Sequence, residues 1–447
     1  MVAGAEVLGG PAGDHRAPGA WWTPLRIILV VGTLTFWLGF LRTWPCMSNG
    51  WIDPDRYEAM CYSDLPVLYS LRGLADGYVP YLEWPASGQP WEYPVLIGVL
   101  VFALGGVTKL LTGGQADALT FYVVNAVAFY GCFLVALWAT SGYVRRRPWD
   151  GLLLAASPAV LLASFVNWDW PAVMLTALAL LGWSRRRPGW AGIALGLAVA
   201  AKFYPLLLLG PLFLLCLRAR RLRAFALTLG GTIGAWLMVN IPVMLTGFEG
   251  WKYFFTFSAE RGQDFGSFWL ALQTAGYGVP AESVNLVGTG VFVLLCGALA
   301  GLILFAPRRP RLAQVAFLVV AAFLLTNKVY SPQFVLWLVP LAILARPRWR
   351  DIIWWQVAEA VYFAGVWWYL VGLTDGNKGL SEQWYAAAIM VHVIATAVLC
   401  GIVVRDILWP AHDPVRGDGI PEHADDPGGG VLDDAPDWGR EREPAQS

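Results

Sequence analysis

An all-α polytopic membrane protein is the fold class this sequence predicts, and three observations predict it. The 447 residues are 57% hydrophobic and only 14% charged, with a mean hydropathy of +0.55; a soluble domain carries about a quarter charged residues. Apolar runs of bilayer length recur, for instance at 26–41, 120–138, 224–245, 286–305 and 384–404. The 25 Trp and 16 Tyr concentrate near the ends of such runs, as interfacial belts do. The formal net charge of zero gives no reason to expect a nucleic-acid partner.

The first 22 residues lack the apolar core and small-residue cleavage site of a secretory signal, so 26–41 reads as an uncleaved first span after a cytoplasmic tail, 1–25. Arginine clusters then recur at 145–147, 185–187, 218–223, 308–311 and 346–350. The positive-inside rule puts every cluster in the cytoplasm, so each intervening stretch crosses out and back. Counting 94–111 as a full crossing would put 145–147 outside. That segment is therefore read as a re-entrant or membrane-lying helix within a large first external loop, 42–119. About twelve crossings result, in a transmembrane domain spanning 26–404. The runs 189–201 and 204–217 are short for full crossings and read equally as a hairpin in a locally thinned bilayer. The Pro/Gly/Asp-rich tail, 405–447, is expected to be cytoplasmic and disordered.

This scheme puts all five lysines (Lys109, Lys202, Lys252, Lys328, Lys378) outside, as isolated charges near helix ends. Isolated intramembrane or rim charges read as a site, whereas the arginine runs read as anchors. No cytoplasmic loop exceeds roughly ten residues, and neither GxGxxG before a helix nor GxxxxGK[ST] occurs, which excludes the usual nucleotide-binding domains.

The first loop is the richest in chemistry. Asp64, in Cys61-Tyr62-Ser63-Asp64-Leu65-Pro66, suits two roles: capping the helix that begins at Leu65-Pro66, and acting as a partly desolvated general base. The roles are compatible. Asp53-Pro54-Asp55 reads as a turn before it reads as a metal pair, and Glu92 and Glu83 are further acids. Cys46 and Cys61 lie 15 positions apart in the polar loop and form a disulfide if that loop faces an oxidising compartment. Asp169 sits between two tryptophans at a helical turn, as a cap or a pocket acid. Lys202 and Lys328, each closely followed by Tyr and Pro, snorkel or, with Arg261, bind a phosphate. Glu359 and His392, inside apolar runs, read as packed, hydrogen-bonded groups.

Taken in order, the segments Tyr62-Ser63-Asp64 with Leu68-Tyr69, Glu92-Tyr93-Pro94, Asn167-Trp168-Asp169, Lys202-Phe203-Tyr204-Pro205, Phe257-Ser258-Ala259-Glu260-Arg261 with Gly266-Ser267-Phe268-Trp269, and Asn327-Lys328-Val329-Tyr330-Ser331-Pro332-Gln333 resemble the GT-C superfamily of membrane glycosyltransferases. The likeness is closest to glycosyltransferase family 87, which includes polyprenol-phosphate-mannose-dependent mannosyltransferases of actinobacteria. The resemblance implies a GT-C-like fold in the cell membrane with its active site facing the periplasm or exterior. It further implies transfer of a sugar, mannose foremost, from a polyprenyl-phosphate donor to a lipid or glycan acceptor. Asp64 matches the family's catalytic base, and no catalytic His maps onto this chain.

A donor that flips with the lipid also answers the lack of nucleotide sugars outside the cytoplasm. In that scheme Arg261, Lys328 and Lys202 bind the donor phosphate, while Glu92, Tyr93, Asp169, Tyr330 and Gln333 line the substrate pocket. The leaving monophosphate is neutralised by side chains, so neither metal nor cofactor is expected. The competing readings are a transporter or flippase of a lipid-linked saccharide and a scaffold subunit. The first calls for midplane ionisable groups and internal repeats; the second calls for Asp64 to be dispensable.

Overall fold

Long apolar runs closed by small polar caps and prolines become helices. In the computed structural model, which describes residues 22–86, 88–417, 426–433 and 435–437, all regular structure among the described residues is helical. The first helix, α1 (Pro24–Arg42), starts at a Thr23 cap with proline in its first turn, a favoured combination. The first loop carries α2 (Trp44–Asn49), α3 (Asp55–Glu58), α4 (Asp64–Leu71) and α5 (Val95–Leu111). Then follow α6 (Ala118–Tyr143), the short α7 (Leu152–Ala155) and α8 (Pro158–Ala163), α9 (Trp170–Ser184), α10 (Pro188–Ala201), α11 (Leu209–Arg218) and α12 (Leu222–Thr246). The second half holds α13 (Phe248–Glu260), α14 (Phe268–Thr274), α15 (Ala281–Phe305), α16 (Leu312–Thr326), α17 (Val335–Ala345), α18 (Trp349–Thr374) and α19 (Glu382–Leu408).

Six helical segments among the described residues are long and apolar enough to cross a membrane: Pro24–Asn49, Ala118–Tyr143, Leu222–Thr246, Glu282–Phe305, Trp349–Thr374 and Glu382–Leu408. Six shorter apolar helices of 10–17 residues accompany them. The chain is built as a multi-pass helical membrane protein, and its lipid-length helices carry many exposed apolar side chains, such as Leu34, Val127, Met238, Leu294 and Ile394.

The first span after the 145–147 cluster is interrupted: a 3-10 turn (Pro148–Gly151) leads into α7 and α8, broken at Ser157-Pro158. Proline removes a backbone donor there, and Gln356 Oε1 compensates by accepting from Ser157 Oγ at 2.6 Å and Ala159 N at 3.3 Å. A broken backbone is tolerated at depth when protein surrounds it, and both pieces pack on α1, α8 also against α17 and α18.

One expectation, a disordered tail, is corrected for the described residues. Helix α19 runs to Leu408, and the described pieces of 405–447 are packed rather than disordered. Asp413 pairs with Arg311 at 2.7 Å and Asp437 with Arg218 at 2.7 Å. Arg309 donates to Leu432 O and Pro436 O at 2.5 and 2.9 Å, and the backbone at Gly430 abuts Trp183. Buried guanidinium groups need carboxylates and carbonyls around them, and the tail supplies both. The expected N-terminal tail, apart from its last residues, lies outside the described residues.

These contacts gather the arginine ends of α9, α11, α15, α16 and α17 at one face. The opposite ends of α9, α10 and α16 carry Asn167, Lys202 and Lys328, about 20 Å away at 1.5 Å per residue, and the end of α13 brings Arg261 to the same place, where Lys328 Nζ reaches Ala259 O. The first loop folds over that second end. Tyr81 anchors it, its hydroxyl donating to Tyr93 O and Pro94 O at 2.9 Å each and filling the space that a Cβ at Gly98 of α5 would occupy.

Candidate active site

A cavity of about 810 Å³ opens among these helix ends. One side is Tyr57, Tyr62, Asp64, Arg72, Glu92 and Tyr93 from the first loop. Facing segments contribute Asn167, Lys202, Arg261, Lys328 and Gln333, and an aromatic and aliphatic wall includes Phe203, Leu206, Leu207, Phe254, Phe255 and Phe257. Of the expected site residues, Asp64, Glu92, Tyr93, Lys202, Arg261, Lys328 and Gln333 line this cavity.

Asp64 is the first residue of α4, and the cap is Ser63, whose Oγ accepts from Leu65 N at 3.2 Å. The Asp64 carboxylate is therefore not spent on capping. Oδ1 accepts from Tyr62 OH at 2.8 Å and Oδ2 from Asn167 Nδ2 at 2.5 Å, while its backbone N–H donates to Val166 O at 2.8 Å. Burial pushes the carboxyl above the usual carboxylate range; the two hydrogen bonds and the charge of Lys202 oppose this, and Glu92 reinforces it. Such a group is a stronger proton acceptor than a surface aspartate.

Asn167 is the hub behind it. Its Nδ2 also donates to Tyr93 OH at 2.6 Å, and its Oδ1 accepts from Lys202 Nζ at 3.2 Å. Since both amide ends are satisfied, the side chain has one workable orientation. Lys202 lies 3.3 Å from Asp169 Oδ1 and 4.9 Å from the centroid of the Tyr93 ring. Asp169 is fully buried and accepts from Trp337 Nε1 at 2.7 Å. Asp169 thus neutralises Lys202 from behind and does not line the cavity, contrary to expectation.

Tyr330 is likewise placed behind the wall, its ring 4.4 Å from that of His392 and its hydroxyl 3.3 Å from Thr396 Oγ1. Glu92 is held by Arg72 in a two-pronged pair at 2.8 and 2.6 Å. Arg72 enters the cavity as a residue that sequence reasoning passed over; the signal available was a lone cation 20 positions before a lone acid. Asn167 was visible only as part of a motif, with nothing in the sequence to pair it with Asp64.

Arg261 pairs with Asp264 at 2.8 Å, and Lys328 Nζ donates to Ala259 O at 3.0 Å. Their segments are stitched together by Asp264 N to Lys328 O at 2.8 Å and Tyr330 N to Phe265 O at 3.0 Å. Burial and then the charge of Arg261 lower the Lys328 pKa from the ordinary lysine value, as two cations sharing one wall do. In the loop, Cys46 and Cys61 are joined in a disulfide three residues before Asp64. The candidate metal pair is otherwise engaged: Asp53 pairs with Arg56 at 2.6 Å and Asp55 accepts from Asn49 at 3.0 Å.

The cavity thus sets a buried carboxylate opposite a basic wall and a long apolar wall. No curated protein matches the chain significantly. The family model described as Glycosyltransferase family 87 matches residues 91–327, more than half of the chain and most of the cavity lining. The chain belongs to glycosyltransferase family 87, a GT-C-type family of membrane glycosyltransferases.

Proposed function

We propose that the protein moves a sugar, mannose foremost, from a polyprenyl-phosphate donor to a hydroxyl of a lipid or glycan acceptor, with inversion at the anomeric carbon. The observation that carries this reading is the joint lining of one cavity by Asp64, by Arg261 and Lys328, and by a phenylalanine-rich wall. Asp64 takes the proton of the acceptor hydroxyl as that oxygen attacks C1. The C1–O bond to phosphate breaks, and its electron pair stays on the departing polyprenyl phosphate. Arg261 and Lys328 meet the charge that develops there. Lys202, drawn to Asn167 and Asp169, supports the base as well as adding positive potential. A β-linked donor then yields an α-glycoside, and the apolar wall suits the prenyl chain.

The same reading gives the membrane domain twelve crossings, with 94–111 inside the first external loop and the cavity on the non-cytoplasmic face of the cell membrane. The gathering of arginines and tail at the far face supports that orientation. The test is transfer from radiolabelled polyprenyl-phosphate mannose into lipid acceptors in membranes carrying the wild type or Asp64→Asn at matched levels. Transfer by the wild type and none by the variant is expected. Equal transfer by both would remove Asp64 from its role; transfer by neither would reject this donor and favour a lipid-saccharide transporter.

A further inference from the structure

Behind the phosphate-binding wall lies a polar cluster that the transfer chemistry does not use. His392 of α19 is fully buried, with Tyr362 of α18 stacked on it at 4.0 Å and 10°. Its Nε2 lies 3.0 Å from Gly266 O, and its Nδ1 lies 3.5 Å from Glu359 Oε2. Glu359 Oε1 accepts from Thr396 Oγ1 at 3.2 Å, which in turn accepts from Trp355 Nε1 at 3.0 Å.

A carbonyl oxygen only accepts, so Nε2 carries a hydrogen. Nδ1 is turned towards the Glu359 carboxyl. Gly266 is where this cluster grips the cavity wall. Its φ is +73°, and a Cβ there would meet Tyr330 O at 2.1 Å and Tyr362 OH at 2.2 Å. Its N–H donates to Tyr385 OH at 3.3 Å. Two residues before it, Asp264 orients Arg261 and bonds the backbone of Lys328.

We infer that His392 is a positioning residue for transfer: by holding the Gly266 carbonyl from behind, it sets where Arg261 and Lys328 meet the donor phosphate. The inference rests on assigning those two cations to that phosphate. The carbonyl contact spans the ring and the loop without touching the cavity, so losing it displaces the cations while leaving Asp64 and the acceptor side in place.

The experiment uses purified full-length protein and measures initial rates against polyprenyl-phosphate mannose, inhibition by polyprenyl phosphate, and thermal unfolding in detergent. Wild type, His392→Leu and His392→Gln are compared. Expected for His392→Leu is a rise of about tenfold in donor KM and in the inhibition constant, with acceptor KM unchanged. Expected for His392→Gln, whose amide nitrogen can still donate to Gly266 O, is recovery of most of that loss. Wild-type constants in both variants would overturn the inference, and so would a joint fall of kcat and melting temperature without a donor-specific KM change. A wild type that accepts no polyprenyl-phosphate sugar would overturn the donor reading, and this inference with it.

Discussion

Asn167 donates a 2.5 Å hydrogen bond to Asp64 across 103 positions of chain. Asp64 precedes the stretch matched by the family model, whereas Asn167 lies within it. That bond attaches the proposed base to the rest of the cavity lining. Removing it with Asn167→Leu is expected to lower kcat/KM by about 10- to 100-fold. Because the bond favours the ionised carboxylate, its loss moves the acid limb of the pH–rate profile to higher pH. Tyr62→Phe should shift the limb in the same direction.

Asp64→Asn separates stability from activity. Burial holds the Asp64 carboxyl above its unfolded-state value, so ionising it opposes folding once pH exceeds that value, about 3.9. At neutral pH the variant should melt no lower than wild type while transferring sugar at least about 100-fold more slowly. The difference in melting temperature should vanish as pH falls towards 4, and thermal scans across that range check it.

Lys328 must be protonated to hold a phosphate, and burial and Arg261 both lower its pKa. Donor affinity should therefore fade on the alkaline side at a lower pH than an ordinary lysine, about 10.4, would allow. Arg261→Gln removes the repelling neighbour. It should raise donor KM by about tenfold yet carry the alkaline limb to higher pH, measured from kcat/KM between pH 7 and 10.

The Cys46–Cys61 bridge closes 15 positions of chain directly before Asp64. In the chain-entropy model a loop of that length contributes about 3 kcal/mol. A Cys46→Ser and Cys61→Ser double variant should melt lower and lose transfer, and reductant should reproduce both effects in wild type but not in the variant.

In the tail, Asp413→Ala or Asp437→Ala would strip the buried Arg311 or Arg218 of the carboxylate paired with it. Breaking a buried pair from one side costs about 3–5 kcal/mol. The readout is a fall in melting temperature, with donor KM unchanged in the molecules that remain folded.

Much of this was legible in the sequence because hydropathy and arginine placement are local signals. The runs that became α1, α6, α12, α15 and α19 and the ends that carry Asp64, Lys202, Arg261 and Lys328 stood out for that reason. Partnerships were not legible. Asp169 reads as a pocket acid until Lys202 and Trp337 are placed on either side of it. Tyr330 belongs to a motif whose neighbours Lys328 and Gln333 line the cavity, while its own ring turns to His392. The tail has the composition of a disordered segment; its aspartates count as order only once buried arginines are there to receive them.

The stretch 148–163 has a consequence for how the topology of this protein can be mapped. α7 and α8 settle against α1, made before them, but also against α17, which the ribosome completes some 180 residues later. A reporter fused soon after Ala163 would interrogate a chain whose broken, apolar segment still faces lipid on the side that α17 will cover. Truncated fusions in this region would report the orientation of an intermediate, so sidedness should be read from single-site labels in the complete chain.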